Sequence, residues 1–323
     1  MKACIIEQIH QNPVFKDIPM PVANEHQEII RIKASSLNHR DMYITQGLYP
    51  GIRLGAVMGS DGCGVNSLGQ EVIINPSLDW GDNQHFQSKQ FRVLGVPDDG
   101  TFADYIAIDK KNVHPKPEHL TFAEAAALPL AGLTAYRSLF KRAGLKEGDK
   151  VLISGVGGGV AAMAMQLALA AGCQVAVTSG TDTKLQRASD LGADFGYSYK
   201  DEAWTKKLIN DMGGIDVVID SAGGPGFRHF IRIANPGGRI VFYGGTLGNI
   251  DGINPQQVFW KQISILGSTM GSDEDFSEML DFVNIHKIKP VISDVLQFDD
   301  ILSGFETMQK SGQIGKIVFD HTY

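Results

Sequence analysis

Cysteine is scarce in this sequence, and the few cysteines are scattered. Cys4, Cys63 and Cys173 are the three, and they form no C-x-x-C pair. Such a set supports neither a disulfide framework nor a cysteine-rich zinc site. Each cysteine is therefore predicted to be a small buried side chain.

Positive charge is not in excess, and long apolar segments are missing. The formal net charge is −7, with both signs interspersed along the chain. This balance argues against a nucleic-acid partner and favours a small molecule. No uncharged apolar run has membrane-spanning length, so no membrane insertion is expected. The N-terminus lacks the basic, apolar and cleavage regions of a signal peptide, which predicts a soluble, cytoplasmic protein.

The 323 residues are enough for two domains. From residue 1 to 121, short apolar runs between glycines and prolines predict an irregular β-rich domain. Thr121 and Glu124 form a capping box that opens a helix, which Pro129 must break or kink. After Lys150 strands and helices alternate, and this predicts an α/β unit with a doubly wound parallel sheet. The strand-helix-strand pattern near the C-terminus suits a return to the first domain.

A glycine cluster between an apolar strand and an apolar helix is the most informative motif. The predicted order is a strand at Val151–Ser154, a helix at Ala161–Ala171 and a second strand at Gln174–Thr178. Glycine lets the backbone approach a pyrophosphate, and the helix offers it free N–H groups and the positive end of its dipole. The motif predicts a dinucleotide site. Its candidate residues are Gly157, Gly158, Gly159 and Val160.

The end of the second strand lacks the carboxylate that commonly binds the ribose 2′-hydroxyl of NAD. Ser179 and Gly180 stand there, and Lys184 follows within about one helical turn. Without a carboxylate to repel a 2′-phosphate, NADP(H) is the predicted cofactor. The alternative is NAD with Asp182 as the acidic residue. We expect Asp182 instead to cap the next helix.

Several motifs together resemble one superfamily over essentially the whole chain. They include the glycine turn, LGAD, VIDSAGG, GGRIVFYGG, ILGSTMGS and the terminal GKIVF. The chain is similar to medium-chain dehydrogenase/reductases. This resemblance implies a GroES-like catalytic domain at 1–121, completed by 270–323, and a Rossmann nucleotide-binding domain at 122–269.

The resemblance departs from zinc alcohol dehydrogenases at the metal ligands. Asn38 and Ser60 stand where those relatives carry a cysteine and a histidine, and Asp61 alone cannot hold catalytic zinc. Residues 75–96, where the structural zinc lobe should lie, contain no cysteine. No metal is therefore expected, and the chain is more similar to the zinc-free quinone oxidoreductase branch. A zinc-type alcohol dehydrogenase is the alternative.

In that branch an asparagine and two tyrosines line the substrate cleft, and their spacing matches Asn38, Tyr43 and Tyr49. A reductase without metal would add hydride to an enone or a quinone, and these side chains would stabilise the oxygen that becomes negative. A tyrosine could also deliver the proton. The alternative is that the tyrosines are interface aromatics and Asn38 is a turn residue. A NADPH-binding sensor or structural protein without turnover is a further possibility.

The resemblance also implies further cofactor contacts and an assembly. Arg40 is expected to meet a carboxylate or the cofactor's phosphates. A homodimer is expected through the last strand of the nucleotide domain, Ile263–Ser268. The implied cofactor residues are Thr134, Tyr199, Gly244, Gly245 and Lys316. The alternatives are a packing role at a strand end for Tyr199 and turns at strand ends for Gly244 and Gly245.

Overall fold

The computed structural model describes residues 1–322. The chain divides into two compact units. The first contains Met1–Leu133 together with the chain from Gly271 onward, and the second is Thr134–Met270. The first unit therefore runs past residue 121, because the helical segment after the capping box still belongs to it. Within residues 1–322 no helix is long and apolar enough to cross a bilayer.

The first unit is rich in short strands with few helices. Its N-terminal elements are β1 (Lys2–Ile5), β2 (Val14–Asp17), β3 (Gln27–Ser36), α1 (His39–Thr45), β4 (Asp61–Asn66), β5 (Glu71–Ile74), β6 (Ser77–Leu78), β7 (Arg92–Val93), β8 (Tyr105–Asp109), β9 (Val113–Pro115) and α2 (Phe122–Ala126). A 3₁₀ turn at Lys110–Asn112 precedes β9.

The second unit alternates strands and helices, as the sequence predicts. After α3 (Pro129–Tyr136) and a π-helical segment at Arg137–Arg142 come β10 (Lys150–Ile153), α4 (Gly159–Ala170), β11 (Gln174–Ser179), α5 (Asp182–Asp190), β12 (Phe195–Ser198), α6 (Trp204–Met212), β13 (Ile215–Asp220), α7 (Arg228–Ile233), β14 (Ala234–Phe242), α8 (Pro255–Lys261) and β15 (Ser264–Gly267). The chain then returns to the first unit with α9 (Asp273–His286), β16 (Ile292–Gln297), α10 (Ile301–Gln309) and β17 (Lys316–Asp320).

The sheet of the second unit is parallel and doubly wound. Its strand order is β12-β11-β10-β13-β14-β15, and every neighbouring pair is parallel. This is the dinucleotide-binding order, which reverses between β10 and β13. The predicted α/β class is confirmed.

The C-terminal strand completes the main sheet of the first unit. The order is β16-β17-β3-β4-β5-β9, with β8 also paired to β3. Val318 on β17 lies opposite Ser36 on β3, and the Leu37 N–H donates to the Ile317 carbonyl at 3.0 Å. The C-terminal segment, predicted to return to the first domain, thus pairs with a strand of the first unit. It places the start of β17 beside the start of α1.

Local predictions were right in kind and wrong in some details. The Thr121 and Glu124 capping box opens α2, and Pro129 opens a new helix after the break. The nucleotide helix α4 begins at Gly159, earlier than the predicted Ala161. Asp182 does not cap α5: Thr181 is the N-cap, and Asp182 is the first helical residue.

Candidate active site

The glycine turn after β10 is tied to the neighbouring strand β11. The N–H of Gly155 donates to Thr178 Oγ1 at 3.0 Å, and the N–H of Val156 donates to the Thr178 carbonyl at 2.8 Å. Gly155 has a φ of 64°, in the left-handed region that favours glycine. The backbone of the turn is thus fixed before any ligand binds.

The start of α4 is built to accept an anion. Gly158 is its N-cap, and the first helical hydrogen bond runs from the Ala162 N–H to the Gly158 carbonyl at 3.0 Å. The N–H groups of Gly159, Val160 and Ala161 therefore have no acceptor within the helix. A Cβ on Gly158 would meet nothing within 4 Å, so an open space faces this terminus. The turn from Gly157 to Val160 fits a pyrophosphate.

Two loops meet beside this turn at the point where the strand order reverses. The Ser154 hydroxyl donates to Asp220 at the end of β13, and the other Asp220 oxygen accepts the Gly223 N–H at 2.8 Å. Sequence reasoning missed this pair. The available signal was that Asp220 ends an apolar strand, and the carboxyl ends of parallel strands line the ligand crevice.

Gly244 and Gly245 follow β14 and approach the loop after β13. A Cβ on Gly244 would lie 2.7 Å from the Ser221 carbonyl oxygen, so glycine is needed for this contact. The Gly245 carbonyl accepts the Gly248 N–H at 3.0 Å within its own turn.

Thr134, another predicted cofactor residue, is buried, and its hydroxyl contacts the Met270 sulfur at 3.8 Å.

The predicted cofactor-selecting residues are grouped at the end of β11. Ser179 is buried, and its carbonyl accepts the Tyr199 N–H at 3.2 Å. The Tyr199 ring lies against Gly180, where a Cβ would come within 2.8 Å of the ring carbon Cζ. Tyr199 is 54% exposed. Lys184 on α5 is partly buried, and this burial lowers its pKa. No carboxylate ends the strand, in agreement with the sequence.

In the first unit, Asn38 belongs to a buried cluster of charged and polar groups. It is the N-cap of α1, and its Nδ2 donates to Asp61 Oδ2 at 2.8 Å. The Lys316 ammonium donates to Asn38 Oδ1 at 2.6 Å and to Asp61 Oδ2 at 2.7 Å. The Lys316 and Asp61 side chains are 4% and 0% exposed. Lys316, expected near the cofactor, thus has two partners inside the first unit.

Asp61 is the centre of this cluster. Its Oδ1 accepts the Leu130 N–H at 2.8 Å, and its Oδ2 also accepts the Ser36 hydroxyl at 3.1 Å. Both carboxylate oxygens therefore have donors. Such a buried carboxylate is held rigidly by its partners.

Arg40 was expected to meet a carboxylate or the cofactor's phosphates, and in the structure its hydrogen-bond partners are a hydroxyl and main-chain carbonyls. Its Nη1 donates to Ser60 Oγ at 2.5 Å and to the Leu94 carbonyl at 2.8 Å, and its Nη2 donates to the Val96 carbonyl at 3.2 Å. The guanidinium carbon lies 4.6 Å from the centre of the Tyr49 ring, a cation–π distance. Arg40 thus joins the segment after β7 to Tyr49.

The two tyrosines lie on and after α1. Tyr43 is a half-buried residue of the helix, and its carbonyl accepts the Leu48 N–H at 2.8 Å. Tyr49 is half-buried and packs against the core of the first unit. The helix α1 therefore carries Arg40 and Tyr43, and Asn38 is its N-cap. Tyr49 is held against the same helix. Their catalytic role stays a prediction.

Both units match known sequence families. Residues 24–118 match the alcohol dehydrogenase GroES-like domain, and residues 159–284 match the zinc-binding dehydrogenase family. A zinc-type alcohol dehydrogenase-like protein, YogA of Leptosphaeria maculans, is 35% identical, and the match covers 96% of this chain and 93% of that protein. The chain belongs to the medium-chain dehydrogenase/reductase superfamily.

Solved structures of other dehydrogenases have the same fold. An NAD-dependent alcohol dehydrogenase matches with a TM-score of 0.94 and 33% identity, covering 100% of both chains. The quinone oxidoreductase of Thermus thermophilus, solved also with NADPH, matches with a TM-score of 0.84 and 26% identity, covering 99% of this chain and 100% of that one. The chain thus resembles members of the superfamily with different cofactors and substrates.

The zinc ion found in many medium-chain dehydrogenase/reductases does not fit the residues of this chain. Asn38 and Ser60 are bound by Lys316 and Arg40, and their side chains are poor zinc ligands. Across residues 1–322 there is no group of three His, Cys, Asp or Glu side chains arranged to hold a metal. A cationic side chain thus binds the side-chain oxygen of each of the two residues, Asn38 and Ser60.

Proposed function

We propose that this protein is a zinc-independent, NADPH-dependent oxidoreductase that reduces quinones or α,β-unsaturated carbonyl compounds. The observation that carries the proposal is the Asn38 cluster. An amide held by Lys316 and Asp61 stands at the position where the sequence resemblance implies a metal-binding cysteine in zinc relatives. An amide cannot replace zinc as a Lewis acid, but it can donate a hydrogen bond to an oxygen that becomes negative.

The residues of the first unit would stabilise that oxygen. The Asn38 nitrogen carries two N–H groups, and Asp61 accepts one of them. The second N–H, with the hydroxyls of Tyr43 and Tyr49, supplies the donors. One tyrosine would also deliver the proton that completes the reduction. NADPH, when bound, supplies the hydride from C4 of its nicotinamide.

The second unit would hold the cofactor. The open N-terminus of α4, at Gly158–Val160, fits the pyrophosphate. The absence of a carboxylate at Ser179, with Lys184 and Tyr199 nearby, favours the 2′-phosphate of NADPH. Asp182 is exposed at the start of α5 and supports NAD as the second candidate.

The test is NADPH oxidation by metal-stripped protein, with a quinone, an enone and a simple aldehyde as substrates. NADH is run in parallel, and zinc content is measured on the same sample. We expect turnover of the quinone or the enone with NADPH and no increase on adding zinc.

Two outcomes would contradict the proposal. Aldehyde reduction that appears only after zinc is added would support a zinc-type alcohol dehydrogenase. Tight NADPH binding without turnover of any substrate would support a sensor or structural protein. A lower KM for NADH than for NADPH would leave the chemistry intact and reverse the cofactor assignment.

A further inference from the structure

The chemistry of its two partners fixes the orientation of the Asn38 amide. The Lys316 ammonium can only donate, so the atom 2.6 Å from it must be the amide oxygen. The Asp61 carboxylate can only accept, so the atom 2.8 Å from it must be the amide nitrogen. Both partners therefore select the same orientation of the side chain.

The cluster also balances its own charge. Lys316 and Asp61 are buried and lie 2.7 Å apart, so each provides the charge that the other needs away from water. Lys316 reaches Asn38 because β17 pairs with β3 in the register that puts Val318 opposite Ser36. The ammonium is thus carried by the rigid backbone of the main sheet.

We propose that Lys316 is a positioning residue that acts through Asn38. It holds the amide oxygen so that the second N–H of Nδ2 is presented to the substrate oxygen, and it balances the charge of Asp61. This proposal rests on the proposed function, because it assigns how the oxygen-stabilising donor is kept in place. It differs from a role in binding the cofactor's phosphates.

The experiment is a double-mutant cycle on kcat with NADPH and the best quinone or enone. The variants are Asn38→Ala, Lys316→Met and the double variant. We expect either single change to lower kcat on the order of 100-fold, the effect of losing one preorganised donor. The double variant should be no slower than Asn38→Ala, because the effect of Lys316 on kcat passes through that amide, whereas its balancing of the Asp61 charge contributes to folding stability.

Two controls and one replacement variant accompany the cycle. Lys316→Arg keeps the charge and the donors, and we expect it to recover part of the lost kcat. Lys207→Gln removes an exposed lysine paired with Asp201, and kcat should stay at the wild-type value. If Lys316→Met does not fold, Lys316→Gln replaces it, because a glutamine amide can donate or accept and no longer selects one orientation.

Two results would overturn the positioning role. Additive losses of kcat in the double variant would show that Lys316 has a separate structural effect. An increased Kd for NADPH in Lys316→Met, measured by fluorescence quenching, with kcat unchanged would show a cofactor contact instead.

The same cycle is measured on the unfolding temperature, which requires no turnover. We expect the shifts of the two single variants not to add, because the residues are in contact. If the wild-type protein reduces no substrate, the proposed function fails on its own. Additive shifts in unfolding temperature would then also refute the contact between Lys316 and Asn38.

Discussion

At the scale of single residues, Asp41 is the most unusual charged group of the first unit. It is fully buried, and its Oδ2 accepts the Asn38 N–H at 2.8 Å. Its Oδ1 has no partner among the described residues. Burial raises the pKa of Asp41 to about 6, although Arg40 and Lys316 oppose the shift. The ionised carboxylate is therefore a cost to folding at neutral pH.

We predict that Asp41→Asn stabilises the protein at neutral and higher pH. A carboxyl whose pKa is higher in the folded state favours folding below its unfolded pKa and loses this advantage as pH rises through 6. The neutral amide avoids that loss. The gain should be about 2–3 kcal/mol at pH 8 and should vanish near pH 4. Urea unfolding of both proteins across this pH range measures it.

Glu124→Gln is the matched control, since Glu124 is also a capping-box carboxylate. Burial tends to raise its pKa, but the Thr121 N–H and Lys289 lower it overall. A lowered pKa stabilises the fold above the unfolded value, and this contribution is lost as pH falls. Glu124→Gln should therefore destabilise at neutral pH. Parallel pH curves for the two variants would refute the assignment to Asp41.

Most of the contacts between the site residues could not be predicted from the sequence. Asn38 was selected from the sequence as a candidate, and its catalytic role stays a prediction. Its contact with Lys316 joins positions 278 residues apart. The main partners of Arg40 are main-chain carbonyls after β7. Such contacts cannot be predicted from residue types, because every residue has a main-chain carbonyl. The register of β17 on β3 brings Lys316 to Asn38.

At the scale of elements, the nucleotide-binding strand, turn and helix were predictable because their pattern is local. An apolar strand, a glycine cluster and an alanine-rich helix follow one another within a short stretch of sequence, and this order is typical of a dinucleotide site. The start of α4 was predicted too late, because a glycine has low helix propensity but can follow a glycine N-cap. Asp182 was predicted to be the N-cap of α5 because aspartate is a common N-cap residue. The N-cap is Thr181, one residue earlier.

Two glycines of this turn should respond oppositely to alanine. Gly155 has a φ of 64°, so Gly155→Ala should destabilise the fold by about 1 kcal/mol through backbone strain. Gly158 has a φ of −75°, so Gly158→Ala should fold normally. Its new methyl group would enter the open space before α4 and weaken NADPH binding.

Urea unfolding and the Kd for NADPH, measured on both variants, separate the two effects. Neither added Cβ would meet a protein atom within 4 Å, so steric clashes do not confuse the comparison. Wild-type affinity in Gly158→Ala would show that the pyrophosphate does not bind at this terminus.

At the scale of the whole molecule, the parallel sheet ends in two edge strands, β12 and β15, and exposed aromatic side chains lie next to β15. β15 has a single neighbour, β14, so the backbone groups on its other side have no strand partner in the described chain. Phe259 and Trp260, just before this strand, are 63% and 82% exposed. Open edges and exposed aromatic side chains are typical of association surfaces. We propose that the protein is a homodimer through this edge.

Size-exclusion chromatography with light scattering at micromolar concentration should show twice the mass of the chain. Trp260→Glu should weaken the dimer by about 10-fold or more, because a charge would be buried where an aromatic side chain packs. Val22→Glu is the control, since Val22 is 90% exposed in the other unit and should leave the mass unchanged. A monomeric wild type would refute the dimer. A dimer in which Trp260→Glu has no effect would place the interface elsewhere, because a two-fold contact along β15 cannot accept a charge on the aromatic surface that adjoins it.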